Sequence, residues 1–380
     1  MRILAFIHEY PPVGGGGGRV AQDIYEGLVA RGHEIVVLTA RYSDLPAEED
    51  KNGVRIIRIP SMRSHSYWAS FTAMAAYVVR SSACGWKFIR DWQPDLMHVH
   101  FAVPAGASAW FLYLTQHIPY VLTAHLGDVP GGVPEKTERW FRWVYPFTPP
   151  IWRSAEKVVA VSQYTRRLAL EHYAVQIDVI PNGVDTKALD PGKINPGDPP
   201  NIVFAGRFVS QKNPLQIVRV LADLKDLPWT CTLLGDGPLR KQVEEEIRQH
   251  GLEGRLLLSG WITPEEVIEY LSRSDILFMP SLSEGLSVVG VQALSMGLAF
   301  VVSPAGGFVD IVEPGVNGFL IDSDDRNGYC NALKSLLLSS EQLLSFRQAS
   351  RHKSFEFDLK NVVNAYEKIF LEVGMRDESV

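Results

Sequence analysis

Short runs rich in β-branched residues alternate with longer amphipathic segments along almost the whole chain, and this alternation limits the fold more than any other feature. Ile3–Ile7, Ile35–Thr39, Val54–Ile59, Leu96–His100, Tyr120–Thr123 and Val158–Val161 read as buried strands. Helical patterns fall at Val20–Arg31, Ser66–Arg90, Ala105–Gln116 and Tyr164–Tyr173. Helices separating apolar strands imply right-handed crossovers and a parallel sheet covered on both faces. The stretch Asp190-Pro-Gly-Lys-Ile-Asn-Pro-Gly-Asp-Pro-Pro200 holds too much Pro, Gly and Asp for a regular element. The alternation then restarts, with strands expected at Asn201–Ala205, Thr230–Leu234, Arg255–Leu258, Ile276–Met279, Phe300–Val302 and Phe319–Ile321. Helices are expected at Pro214–Leu224 and Arg240–Gln249, from Pro264, and near Val288. The economical reading is two α/β domains, 1–190 and 191–357, each a doubly wound parallel sheet, facing across a cleft. A last amphipathic segment, 358–373, could pack on either domain, including back on the first.

Composition narrows the function. With 380 residues, 46% apolar and 21% charged, the chain is long enough for two globular cores. Its 37 Lys and Arg against 43 Asp and Glu give a net charge of −6, which argues against nucleic-acid binding through overall charge. Cys84, Cys231 and Cys330 lie far apart and suggest neither a disulfide framework nor a thiolate metal site. The opening Ile-Leu-Ala-Phe-Ile ends at His8-Glu9 before a secretory core develops, and no apolar run reaches the ~18 residues of a membrane span. A cytoplasmic protein is expected, with a peripheral place on the inner face of the membrane as an option.

Three loops carry the chemistry. Tyr10-Pro-Pro-Val-Gly-Gly-Gly-Gly-Gly-Arg19 lies between the first strand and first helix. Glycines there let backbone amides approach a phosphate or sugar, and the helix N-terminus adds partial positive charge. A nicotinamide cofactor is a poorer fit, because the acidic ribose ligand is absent after the second strand, which ends Leu38-Thr39-Ala40-Arg41. Gly206-Arg207 with Lys212-Asn-Pro214 is the corresponding loop of the second domain, and its two cations beside a helix start suit a diphosphate. Ser281-Leu-Ser-Glu284-Gly follows an apolar strand and opens a helix that contains Gln292. His98 and His100 share a strand face, but no third metal ligand has convincing spacing, and Asp322-Ser-Asp324 reads as a solvated turn. No metal site is expected.

These pieces, with Asp95-Leu-Met-His98-Val-His100, Thr123-Ala-His125, Pro181-Asn-Gly-Val-Asp185 and Gly235-Asp-Gly-Pro238, resemble the family-four retaining glycosyltransferases of the GT-B fold from end to end. The resemblance implies two Rossmann-like domains, with the acceptor on the first and a nucleotide-diphosphate sugar on the second. It implies catalytic roles for His125, Arg207, Lys212 and Glu284, and donor contacts from Gly16, Gly17, Gly285, Leu286 and Gln292. It also implies metal-independent chemistry and no cofactor beyond the donor substrate. The family normally has a second glutamate where this chain has Gln292, so altered donor preference is expected. A non-catalytic nucleotide-sugar-binding subunit and a sugar-nucleotide epimerase on the same scaffold are the alternative functions. Cations interleaved with aromatics at 139–147 and 66–90 suggest contact with an anionic membrane surface, hence a lipid-linked or cell-envelope glycan acceptor and a role in polysaccharide biosynthesis.

Overall fold

The computed structural model describes residues 1–65, 69–134 and 141–375. They form two compact units, one of Met1–Gly183 with Leu359–Val380 and the other of Val184–Asp358.

The first unit is built on an eight-stranded sheet in the order β3-β4-β2-β1-β5-β6-β7-β8. Its strands are β1 (Arg2–Phe6), β2 (Glu34–Tyr42), β3 (Glu48–Lys51), β4 (Val54–Arg63), β5 (Leu96–His100), β6 (Tyr120–Ala124), β7 (Lys157–Ala160) and β8 (Ile177–Val179). All pairs are parallel except β3 with β4. Leu4, Phe6, Leu38, Val99 and Leu122 are fully buried, as helices on both faces of a parallel sheet require. Strand β3 is absent from the sequence reading because Glu-Glu-Asp-Lys carries no apolar signal. It forms through the Asn52-Gly53 turn, both residues at positive φ, and its charges suit an exposed edge.

The second unit has a six-stranded sheet in the order β11-β10-β9-β12-β13-β14. These are β9 (Asn201–Ala205), β10 (Thr230–Leu234), β11 (Leu256–Gly260), β12 (Ile276–Met279), β13 (Ala299–Val302) and β14 (Gly318–Leu320), all paired in parallel.

Of the boundaries that move from the sequence reading, two bear on the site. The division falls at Gly183/Val184 rather than 190/191. The Val184 N–H bonds Phe357 O at 3.0 Å, and the Arg351 guanidinium bonds the carbonyls of Thr186 at 3.0 Å and Leu189 at 3.4 Å. Composition locates the irregular stretch; hydrogen bonding assigns the residues before it to the second unit. The first helix begins at Gly16, not Val20, so Gly16 to Gly18 are its first turn and not a loop.

The final helix, Leu359–Gly374, packs on the first unit. Tyr366 Oη is 3.1 Å from Thr123 Oγ1, Glu367 pairs with Arg31 at 2.6 Å and His33 at 2.9 Å, and Val363 fills the space over Gly27.

Candidate functional site

In an open parallel sheet, ligands bind beyond the carboxyl ends of strands where the order of connection reverses. Each sheet here has one such point, between β1 and β5 in the first unit and between β9 and β12 in the second. His125, Arg207, Lys212, Glu284, Gly16, Gly17, Gly285, Leu286 and Gln292 lie in segments leaving these strands, the neighbouring β6, or the helices that follow.

In the first unit, β6 ends at Ala124 and the next residue is His125, which is 8% exposed. The Phe101 ring stacks on it with centroids 4.3 Å apart. Phe101 follows β5 directly and holds φ +73°, a strained conformation for a side chain of this size. Gly17 explains how the first helix meets this pair: a Cβ there would stand 2.7 Å from Phe101 Cζ and 3.4 Å from His125 Cε1. Glycine is therefore required for packing, while the exposed Gly16 opens the helix. The N-cap, Gly15, offers no side chain to the first-turn amides, of which Gly18 N–H bonds Gly15 O at 3.2 Å. Asp128 pins the loops after β5 and β6 together, accepting the His125 N–H at 2.9 Å and the Val103 N–H at 3.4 Å.

Four histidines collect here. His100 Nδ1 lies 3.2 Å from His125 Nε2, and His98 bonds Tyr25 Oη at 3.0 Å and Thr123 Oγ1 at 2.9 Å. His8, just after β1, meets Phe101 edge-on. Burial lowers the pKa of His125 to about 4 and that of His98 to about 3, the latter with help from His125. His100 and His8 are also lowered, chiefly by burial. At neutral pH these rings are uncharged, each with one donor and one acceptor. Asp128 moves the other way, to about 7, because burial outweighs its backbone hydrogen bonds. With both nitrogens of His98 used internally, that ring is part of the scaffold.

In the second unit, Gly206-Arg207 leaves β9 and Ser281–Glu284 follows β12. Lys212 Nζ forms an ion pair with Glu284 Oε1, which also accepts the Ser281 hydroxyl at 3.0 Å. Glu284 is buried and Lys212 half-buried, so this pair is screened little by solvent. The two loops are further tied by Gln211, whose amide donates to Ser283 O at 3.0 Å and whose carbonyl accepts the Leu282 N–H at 2.8 Å. Arg207 is half-buried and makes no ion pair among the described residues. Gly306, at φ +60°, underlies the Glu284 loop; a Cβ there would stand 1.5 Å from Glu284 O. Gly285 accepts the Gly307 N–H at 2.9 Å, and Leu286 is buried just before Ser287, which caps the helix Val288–Ser295. Gln292 is half-buried in that helix. The result is one cation paired with one carboxylate on neighbouring loops, with Arg207 on the β9 loop and a helix start at Val288 close by in sequence, an arrangement that can hold an anion and orient hydroxyls.

Phe101, His8, Asp128 and Ser281 escaped the sequence reading as site residues. His8 and Ser281 were accessible through their positions directly after β1 and near the end of β12. Phe101 and Asp128 had no sequence signal, because a stacking partner and a loop clamp depend on neighbours remote in sequence. Among the described residues no group of three or more His, Cys, Asp or Glu side chains is placed to hold a metal ion. Asp322 and Asp324 lie in an exposed turn that leads to Asp325, the cap of helix Arg326–Leu338.

Residues 14–188 match the family model for glycosyltransferase family 4, and residues 185–353 match that for glycosyl transferases group 1. The chain belongs to the family-four glycosyltransferases. It is 27% identical over 375 residues to an uncharacterized glycosyltransferase of Methanocaldococcus jannaschii, covering 98% of this chain and 99% of the relative. Sucrose-phosphate synthase from Thermosynechococcus elongatus superposes with a TM-score of 0.85 at 21% identity, with 98% of each chain covered. Anabaena HepE, solved in complex with UDP-glucose, superposes with a TM-score of 0.77 at 18% identity, over 98% of this chain and all of that one. The glycosyltransferase thus has the GT-B fold, with two Rossmann-like α/β domains, and is a transferase. No described helix is long and apolar enough to cross a membrane.

Proposed function

We propose that this glycosyltransferase moves a sugar from a nucleotide-diphosphate donor to an acceptor hydroxyl with retention of anomeric configuration. The observation that carries the reading is the ion pair of Lys212 with Glu284, which joins the loops leaving the adjacent strands β9 and β12, with Arg207 on the first of these loops and a helix starting at Val288 after the second. As the glycosidic bond to the diphosphate breaks, negative charge grows on the leaving oxygen. In this reading Arg207 and Lys212 stabilise that charge, in the role a metal ion has elsewhere. The acceptor oxygen bonds the anomeric carbon from the face the diphosphate leaves, and the leaving phosphate oxygen takes the acceptor proton.

Glu284 holds donor-sugar hydroxyls once Lys212 turns to phosphate, and Gln292 accepts from and donates to the ribose. Backbone groups of Gly285, Leu286, Gly16 and Gly17 give close, uncharged contacts to the donor. Neutral His125 hydrogen-bonds a sugar hydroxyl and does not act as a cation, consistent with its lowered pKa. The structural similarity to HepE, which binds UDP and UDP-glucose, supports a nucleoside-diphosphate donor. We take the acceptor to be a lipid-linked glycan intermediate of polysaccharide biosynthesis, handled by a cytoplasmic enzyme at the membrane.

The test is thermal protection by UDP, GDP, ADP and their sugar derivatives, followed by turnover. A ligand at ~100 times its Kd adds about 2.7 kcal/mol of stability. Arg207→Ala with Lys212→Ala should abolish protection and lower turnover by roughly 10²–10³-fold or more. Full turnover by that double variant would defeat the assignment.

A further inference from the structure

The first unit carries an apolar face that neither its core nor its histidine cluster uses. Helix Phe71–Trp92 turns Phe71, Ala75, Val79, Ala83 and Trp86 to solvent, and their three- and four-residue spacing makes them one stripe. Val79 is 71% exposed. Beside it lies helix Ala107–Gln116, which contains no charged residue and exposes Phe111 and Leu114. Small residues bring the helices together: Ser81 bonds Ser108 at 2.8 Å, and a Cβ on Gly85 would stand 2.7 Å from Leu112 Cδ1. The Trp86 and Phe111 rings meet on the outer side at 6.4 Å. An open groove of about 620 Å³ runs there, lined by Val78, Val79, Ser82, Ala83, Trp86 and Phe111.

Charge on these two helices is net positive. Arg80, Lys87 and Arg90 occupy exposed positions of the first helix. Asp91, the single acidic residue on either helix, is already paired with Arg90 at 2.8 Å. A contiguous exposed apolar surface of this kind marks an interaction site. A second copy of the chain is a poor occupant, because two-fold pairing would set this cationic margin against itself. An anionic lipid surface complements it, with apolar side chains at the acyl boundary and cations at the phosphates. Tyr67, Trp68, Arg139 and Trp140, which the sequence also suggested for membrane contact, lie outside the described residues.

We propose that this two-helix face docks the enzyme on an anionic bilayer surface, a reading that extends the lipid-linked acceptor but is tested without donor or acceptor. In flotation at low salt, the full chain should bind vesicles of equal phosphatidylglycerol and phosphatidylcholine at least tenfold more tightly than pure phosphatidylcholine vesicles. Val79→Asp with Phe111→Asp should weaken binding at least tenfold, and Lys87→Glu with Arg80→Glu should remove the preference for anionic vesicles. Thermal protection by nucleoside diphosphates should be unchanged in both variants, which reports their folding and separates this proposal from the donor site. Absence of vesicle binding by the wild type overturns the docking surface. Wild-type binding by both variants overturns it too, as does concentration-dependent dimerisation that the aspartate variant abolishes.

Discussion

Glu284 and Lys212 neutralise each other across two loops, so the carboxylate and one cation of the proposed donor site are pre-positioned before any ligand arrives. The family resemblance puts a glutamate where this chain has Gln292, which would exchange a charged acceptor for a neutral one. Hydrogen bonds to charged groups are stronger by roughly 1 kcal/mol. Gln292→Glu should therefore lower the donor KM by about tenfold or less and leave kcat within about twofold. Steady-state kinetics with the preferred donor checks this, and an unchanged KM removes Gln292 from the ribose contact. The buried histidines make a second prediction. Their folded pKa values lie below the ordinary 6.5, so the stability they give is present above pH 6.5 and is lost as pH falls toward about 4 for His125 and about 3 for His98. Asp128 opposes this: its pKa is raised to about 7, so its contribution is present below pH 4 and lost as pH rises through 7. The measure is thus the difference between wild type and His98→Gln in urea midpoint, which should shrink between pH 7 and pH 5. A constant difference over that range would count against the charge-state argument.

At the scale of elements, strand ends and their loops decide the chemistry. Alternating apolar strands and amphipathic helices were legible in the sequence because burial on both sheet faces leaves a dense hydrophobic signal, as in Asn201–Ala205, Thr230–Leu234 and Ile276–Met279. Elements without that signal were not legible. Strand β3 is four charged residues held by its turn, and β8 is only three residues long. Helices Arg326–Leu338 and Ser340–Ser354 lacked distinctive strand neighbours to frame them. Among the site loops, the glutamate loop depends on Gly306, which has both positive φ and no room for a Cβ beside Glu284 O. Gly306→Ala should cost more than ~2 kcal/mol through strain and overlap and should displace Glu284. Urea denaturation and nucleotide protection will register it, and a variant with wild-type values in both would show that the loop yields easily.

Over the whole molecule, the chain crosses from one unit to the other and returns, and the last helix completes the unit in which the chain began. Val362, Val363, Tyr366, Ile369, Phe370 and Val373 are all buried there. At ~1.5–3 kcal/mol per buried side chain the loss of these six amounts to roughly 9–18 kcal/mol, as large as the stability of a typical domain. A chain ending at Asp358 should therefore have a protease-sensitive 1–183 region beside a resistant 184–358 region in limited proteolysis. Equal resistance of both regions would show that the last helix is dispensable. The sequence by itself determined the two α/β units, the positions of most strands along the chain, and the loops bearing Arg207, Lys212, Glu284 and His125, because periodicity and glycine placement are local properties of the chain. Tertiary structure alone decided that Phe101 stacks on His125, that Lys212 pairs with Glu284, that residues 184–190 join the second unit, and that two helices expose one apolar, cationic face. Each of these rests on groups distant in sequence, and contact between such groups is set by packing that no local pattern records.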